Sequence, residues 1–206
     1  MSADDQAILD RENSENWAEL YRCRWSTPDA ERVVPQLVQL LRSDDPQIVD
    51  EALRALFRVG TAAISAAEPV ARLTQSDSPI TKQLAVLTLG QIAHTVPELC
   101  VEPLASVLTD SLCCRDAMRV LAFVGSKAET ALDRVLPLFR DTDAKVRKAA
   151  VITAASIKPD HPDVMEILHL ASKDRSKIVR DAALKFLRSR EYVNDAPPQP
   201  ECTDTK

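Results

Sequence analysis

Histidine, the residue most used for metal binding and proton transfer, is sparse in this 206-residue sequence. Its three histidines are His94, His161 and His169. The last two share a predicted helix but are eight residues apart, whereas ligands on one helix face are usually three or four apart. The sequence therefore predicts no metal site and no cofactor.

Five cysteines could supply thiol chemistry, but their spacing is irregular: Cys23, Cys100, Cys113, Cys114 and Cys202. They form neither the CxxC pairs of zinc sites nor an even disulfide framework. The adjacent Cys113 and Cys114 begin a predicted helix, whose N-terminus can lower a thiol pKa. Two interpretations remain open, of which the first is favoured: small residues at ordinary helix positions, or a reactive thiol.

Charge is distributed unevenly along the chain, whose formal net charge is -5. Residues 1–143 carry 22 acidic and 14 basic side chains, whereas residues 144–190 carry 11 basic and five acidic ones. The acidic part repels phosphate, and the basic part could bind an acidic partner or a nucleic-acid backbone. A solvated helix face is the favoured interpretation.

The elements that position these residues repeat at a fixed period. One small or apolar position recurs at steps of 33, 33, 32 and 33 residues: Ala52, Ala85, Met118, Ala150 and Ala183. A basic column, meaning one equivalent position per unit, holds Lys82, Arg115, Arg147 and Arg180, with Val49 in the first unit. An acidic column holds Asp44, Asp77, Asp110, Asp141 or Asp143, and Asp174. Such a period indicates stacked supersecondary units.

The predicted fold is all-α, an α-solenoid of about five antiparallel helix pairs. We expect a flexible N-terminus over 1–13, a capping helix over 14–25 that contains Trp17 and Trp25, and a disordered tail over 191–206. The solenoid covers 14–190, with repeats at about 28–60, 61–95, 97–125, 126–158 and 159–190. Prolines 35, 69, 103 and 137 recur in or near the first helices and predict a kink.

The second helices resemble those of HEAT repeats. The segments DTDAKVRKAAVITAA and KDRSKIVRDAALKFL fit the family pattern closely, and SDDPQIVDEALRAL and SDSPITKQLAVLTL fit it more loosely. A proline in the first helix, as in VVPQLVQLL, is also a family feature. The resemblance covers Pro28 to Arg188 and implies HEAT-like or phycobilisome-lyase-type repeats in an armadillo-type superhelix.

The resemblance also implies a ladder of charged pairs between neighbouring units. Its predicted pairs are Asp77 with Arg115, Asp110 with Arg147, and Asp143 with Arg180. These residues are expected to have a structural role.

Some proteins that resemble this fold are enzymes. Deoxyhypusine hydroxylase binds iron through His-Glu dipeptides, but here Thr95, Pro162 and Leu170 follow the histidines. The favoured function is a non-catalytic, cytoplasmic protein-binding scaffold without a membrane segment. The alternatives are a bilin lyase-like subunit of phycobilisome assembly, or binding of an acidic partner or nucleic acid through the basic C-terminal repeats.

The resemblance places the second helices on the concave side, where a partner would bind. The predicted site is an apolar stripe of Leu87, Val120 and Ile152, rimmed by charged residues: Asp50, Arg54, Lys148 and Lys185. A superhelical twist could instead bury the stripe between units. Solvent exposure distinguishes the two interpretations.

Overall fold

A computed structural model of the chain describes residues 27–194. The predicted capping helix with Trp17 and Trp25, and the part of the tail after residue 194, lie outside the described residues. Residues 191–194, which the sequence assigned to the tail, continue the last helix.

Every regular element in the described part of the chain is a helix, and the helices form two layers. The first helices of the units make one layer: α1 (Thr27–Leu40), a 3₁₀ helix (Gly60–Ala66) with α3 (Ala67–Leu73), α5 (Pro97–Ser106), a 3₁₀ helix (Gly125–Ala131) with α7 (Leu132–Val135) and a further 3₁₀ helix (Leu136–Arg140), and α9 (Pro162–Ala171). The second helices make the other layer: α2 (Pro46–Val59), α4 (Pro79–Ile92), α6 (Cys114–Val124), α8 (Ala144–Ile157) and α10 (Lys177–Asn194). Each helix packs against its partner in the unit and against its equivalent in the next unit. The predicted α-solenoid is confirmed.

Three of the second helices, α2, α4 and α8, begin after a residue whose side chain accepts an otherwise unpaired backbone N–H group. Asp45 accepts from the Gln47 amide at 2.9 Å, and Asp143 accepts from the Lys145 amide at 2.8 Å. Proline occupies the first helical position of α2, where a missing N–H leaves no hydrogen bond unmade. Local sequence signals thus determine where the turns between the two layers end and second helices begin.

Two glycines set the connections into the second and fourth units. Gly60 and Gly125 have φ of 68° and 66°, a conformation that residues with a Cβ rarely adopt. Each turns the chain directly into a 3₁₀ helix that is interrupted by a non-helical residue, Ala63 or Ala128. The first helices of these two units are therefore broken rather than kinked at proline.

Proline plays different parts in the four first helices that contain it. Pro35 and Pro103 lie inside α1 and α5. Pro69 lies near the start of α3, and Pro137 lies at the start of a 3₁₀ helix. The predicted kink at one repeated position is wrong in the second and fourth units, because the glycine turn has already shortened the helix that follows it.

Candidate functional site: the face of the second helices

Two buried threonines reveal how neighbouring second helices align. Thr88 donates to the Leu53 carbonyl at 3.2 Å, and Thr153 donates to the Met118 carbonyl at 3.0 Å. Each hydrogen bond joins a second helix to that of the preceding unit. Because Leu53 directly follows the column alanine of its unit, Met118 must directly follow its own column residue, which is Ala117.

The glycines that follow the C-terminal ends of α2 and α6 give the same alignment. Gly60 lies eight residues after Ala52, and Gly125 lies eight residues after Ala117. The steps along the alanine column are therefore 33, 32, 33 and 33, and the assignment of Met118 is wrong by one residue. The shorter step falls in the turn before α6, which lacks the proline that begins α2 and α4.

The corrected alignment removes Val120 from the predicted stripe. Val120 is 6% exposed, and it is equivalent to Thr88 and Thr153, which are also buried. A Cβ placed on Gly90 of α4 would lie 2.9 Å from Val120 Cγ2. Val120 is thus a contact between α4 and α6, and the prediction that it forms part of an exposed stripe is wrong.

The position two residues after each alanine now alternates between basic and apolar residues: Arg54, Leu87, Arg119, Ile152 and Lys185. Arg54, Arg119 and Lys185 are exposed, whereas Leu87 and Ile152 are half-buried. The position two residues before each alanine holds Asp50, Gln83, Arg115, Lys148 and Asp181. We call these ten residues the second-helix face.

Four of the five residues that lie two positions before the column alanines are exposed as well. Gln83, Arg115, Lys148 and Asp181 are exposed. Asp50 is half-buried and accepts a hydrogen bond from Thr81 Oγ1 at 2.6 Å. The predicted rim residues therefore belong to this face, but Asp50 also joins the first two units.

The charged ladder exists, but it runs in the opposite sense to the predicted one. Arg147 donates through Nε and Nη2 to Asp174 at 2.9 and 2.8 Å, and through Nη1 to the carbonyls of Asp141 and Thr142. The Arg147 and Asp174 side chains are only 6% and 9% exposed. Arg147 therefore binds the following unit, and the predicted pair with Asp110 is wrong.

Asp110 instead pairs with the preceding unit. Lys82 Nζ lies 2.8 Å from Asp110 Oδ2, and both side chains are about a quarter exposed. Asp110 also accepts from the amides of Leu112 and Cys113. A repeated position lies between two neighbouring units, and the repeat period does not indicate which of them it faces.

The other two predicted pairs are also wrong. Arg115 lies on the second-helix face, because the corrected alignment puts Cys114 in the basic column. Asp143 caps α8, and Arg180 donates to the carbonyls of Asp174 and Arg175 at 2.7 and 3.0 Å.

These contacts shift the affinity of the carboxylates for protons. Hydrogen bonding to the Arg147 guanidinium lowers the pKa of Asp174, and hydrogen bonding to Lys82 lowers the pKa of Asp110. Both ladder carboxylates are held in the charged form.

The described cysteines, Cys100, Cys113 and Cys114, are buried. Burial raises the pKa of Cys100 to about 12 and that of Cys114 to about 11, and it raises the pKa of Cys113 as well. A helix N-terminus has not produced a thiolate, because desolvation disfavours the charged form. Cys113 and Cys114 therefore pack as small core residues.

The described part of the chain contains neither a metal-ligand cluster nor a membrane-spanning helix. Within 32–189, His, Cys, Asp and Glu side chains form no group of three or more that could hold a metal ion. None of the helices in this range is long and apolar enough to cross a bilayer.

The two helix layers carry opposite charge. The second helices contain 13 Lys and Arg residues against five Asp and Glu, whereas the first helices contain five against nine. On the first-helix side, a groove between the fourth and fifth units is lined by three carboxylates and one arginine beside apolar side chains: Asp133, Leu136, Pro137, Phe139, Arg140, Asp163, Glu166, Ile167 and Leu170. The molecule therefore presents a basic face and an acidic one.

Known repeat families and designed repeat proteins resemble this chain. Residues 31–58 match the armadillo/beta-catenin-like repeat, and residues 160–187 match the HEAT repeat associated with sister chromatid cohesion. No match to the sequence was found among curated proteins.

Three solved structures cover nearly the whole chain. A designed armadillo repeat protein in complex with the peptide (KR)4 has a TM-score of 0.73 and 18% identity, and covers 90% of this chain and 97% of its own. An engineered protein has a TM-score of 0.70 and 22% identity, over 93% and 98%. A computationally designed armadillo repeat protein for modular peptide recognition has a TM-score of 0.69 and 17% identity, over 90% and 98%. At these identities the likeness establishes the fold.

Proposed function

We propose that this HEAT/armadillo-type α-solenoid is a non-catalytic scaffold that binds a segment of another protein on its second-helix face. The observation that carries the proposal is the alignment of equivalent exposed or half-buried positions across the second helices of five stacked units. A row of equivalent positions suits a partner segment that lies across the helices and contacts each unit in turn.

The similar designed proteins support this proposal by analogy. One of them is bound to a peptide, and another was designed for modular peptide recognition. Their resemblance to this chain lies in the fold, so the residues that would bind a segment here must come from this chain's own second-helix face.

The described thiols and the rings of His94 and His161 support a non-catalytic role, because in the structure they are buried, cap a helix or pack against another ring. The described thiols are buried with raised pKa values. The His161 ring caps α9 by accepting from the Asp163 amide at 3.3 Å, and the His94 ring packs against Phe123 in a tilted arrangement with the ring centroids 5.4 Å apart. None of the described residues favours the alternative of a bilin lyase-like subunit.

The proposal is tested by selecting binders from a random peptide library with the full chain and then changing its surface. We expect Leu87→Asp and Ile152→Asp each to lower peptide affinity at least about tenfold, since each places a carboxylate in the middle of the contact. Both side chains are half-buried, so the unfolding midpoint of each variant is measured alongside binding.

A matched control lies on the opposite layer. Leu99 in α5 is 43% exposed, and Leu99→Asp makes the same chemical change there. It should leave peptide affinity unchanged. Binding that survives both second-helix variants, or that is lost in Leu99→Asp, would contradict the proposal.

A further inference from the structure

We infer that the segment bound by the second-helix face is acidic, with apolar residues placed between its carboxylates. This inference rests on the proposed function and specifies the chemistry of the partner. It comes from charges on this face that the protein itself leaves uncompensated.

The centre of the face is a cluster of cations on α6 and α8. Arg115 and Lys148 are exposed, and no ion pair among residues 32–189, whose side chains the structure describes, involves either of them. Arg119 pairs with Asp116 of its own helix at 3.1 Å, and its side chain is 68% exposed. An exposed pair of this kind is worth little, so Arg119 is available to a stronger acceptor. We call Arg115, Arg119 and Lys148 the basic cluster.

The acidic groups near the cluster do not neutralise it. Asp116 is the only carboxylate in α6, and α8 contains none. Asp50 and Asp181 lie on the outer units, where Asp50 already accepts from Thr81. No ion pair among residues 32–189 neutralises Arg115 or Lys148, so a partner could supply opposite charge to the middle of the face.

The first-helix layer shows what compensated cations look like in the same fold. Arg134 of the fourth unit lies 2.6 Å from Glu102 of the third, and Lys158 pairs with Glu129. Arg134 thus joins neighbouring units, and Lys158, which follows α8, pairs within the fourth unit, whereas Arg115 and Lys148 form no ion pair among residues 32–189. A cluster of one sign attracts a partner of the other sign and speeds its association.

The alternation of basic and apolar residues also sets a spacing for the partner. Packed helices lie roughly 8–10 Å apart, and an extended chain advances about 3.3 Å per residue, so about three residues span one unit. Arg54, Arg119 and Lys185 occupy alternate units, with Leu87 and Ile152 between them. An extended partner would therefore place carboxylates about six residues apart with an apolar residue midway.

The experiment uses peptides selected from a random library on the full chain, with (KR)4 as a charge-reversed probe. We expect the selected peptides to be acidic, (KR)4 not to bind, and affinity to fall as salt rises. Arg119→Glu combined with Lys148→Glu should lower affinity at least about tenfold. Lys127→Glu, a matched charge reversal at an exposed cation of the first-helix layer, should not change it.

The other outcomes would overturn either the acidic partner alone or the proposed function as well. Neutral or basic peptides that are lost in Leu87→Asp, but insensitive to the charge reversals, would overturn the acidic partner and leave the proposed function standing. Peptides insensitive to every second-helix variant, or no selected peptide at all, would overturn both. Single-stranded DNA that binds through Arg119 and Lys148 more tightly than any selected peptide would also overturn the acidic segment.

Discussion

Two junctions between second helices are built from different interactions. Between the fourth and fifth units, the buried guanidinium of Arg147 makes two hydrogen bonds to the Asp174 carboxylate. Between the second and third units, Gly90 lets Val120 approach closely, and the accompanying Lys82–Asp110 pair is partly exposed. One junction depends on a shielded ion pair, and the other depends mainly on shape.

The contrast separates charge that holds the fold from charge that can recognise a partner. Arg147 and Lys148 are adjacent in sequence, yet one is 5% exposed and bound to Asp174 while the other is exposed on the second-helix face. In the third unit, Cys114 occupies the basic column, and the neighbouring Arg115 lies on the surface. Charge that is neutralised internally contributes little to the field that a partner meets.

The largest expected effect comes from breaking the shielded pair. Arg147→Met keeps much of the side-chain volume but leaves Asp174 without its guanidinium, and we expect a loss of about 3 kcal/mol in the free energy of unfolding. Urea denaturation of the full chain measures it. Lys148→Met is the matched control and should leave stability nearly unchanged while weakening the binding of acidic peptides. Equal losses of stability in the two variants would contradict the distinction.

A smaller effect is expected from adding a methyl group at the packed junction. Gly90→Ala places a Cβ 2.9 Å from Val120 Cγ2, and overpacking of this kind costs about 1–3 kcal/mol. Alanine regains about 1 kcal/mol of helix propensity, so the expected net loss is about 1 kcal/mol. With Val120→Ala already present, Gly90→Ala should instead be neutral or stabilising. A double-mutant cycle in denaturant measures this coupling, and additivity would argue against the close contact.

The sequence predicted the fold because helix pairs that repeat every 33 residues leave few ways to bury their apolar faces. The prediction misplaced the column residue of the third unit by one position, because the single 32-residue step can be placed either before or after α6. One signal could have located it: the Val-Gly pairs at 59–60 and 124–125 are 65 residues apart, so the residue equivalent to Ala52 is Ala117.

The direction of the ladder could not be predicted from the repeat period, because each charged position lies between two neighbouring units. The period does not show with which of them the side chain pairs. Nor could the sequence alone assign Val120 to the core, because valine is common both in cores and on binding faces. Val120 was therefore wrongly assigned to the apolar stripe, and a binding role for Leu87 and Ile152 stays a prediction.

A third prediction compares the two ion pairs directly. Lys82→Met should lower the unfolding midpoint clearly less than Arg147→Met does, because the Lys82–Asp110 pair is open to water and lysine makes a single charged contact. Val120→Ala should lower the unfolding midpoint more than Lys82→Met does, because the junction between the second and third units depends on packing. The reverse order in thermal unfolding would mean that this junction too is held by charge.

The smallest difference between the junctions is expected in acid. The pKa values of Asp174 and Asp110 are both lowered in the folded state, by Arg147 and Lys82 respectively. Each carboxylate therefore stabilises the fold fully above the usual value of 3.8, and this contribution is lost as pH falls through the lower folded pKa. Urea titrations of wild type and Asp174→Asn should show a stability gap that is constant above about pH 5 and narrows below pH 4. Repeating the pair of titrations with Arg147→Met present should remove most of the narrowing, because the cation that lowers the Asp174 pKa is gone. A gap that widens in acid would show that the Asp174 carboxylate is not stabilised by Arg147.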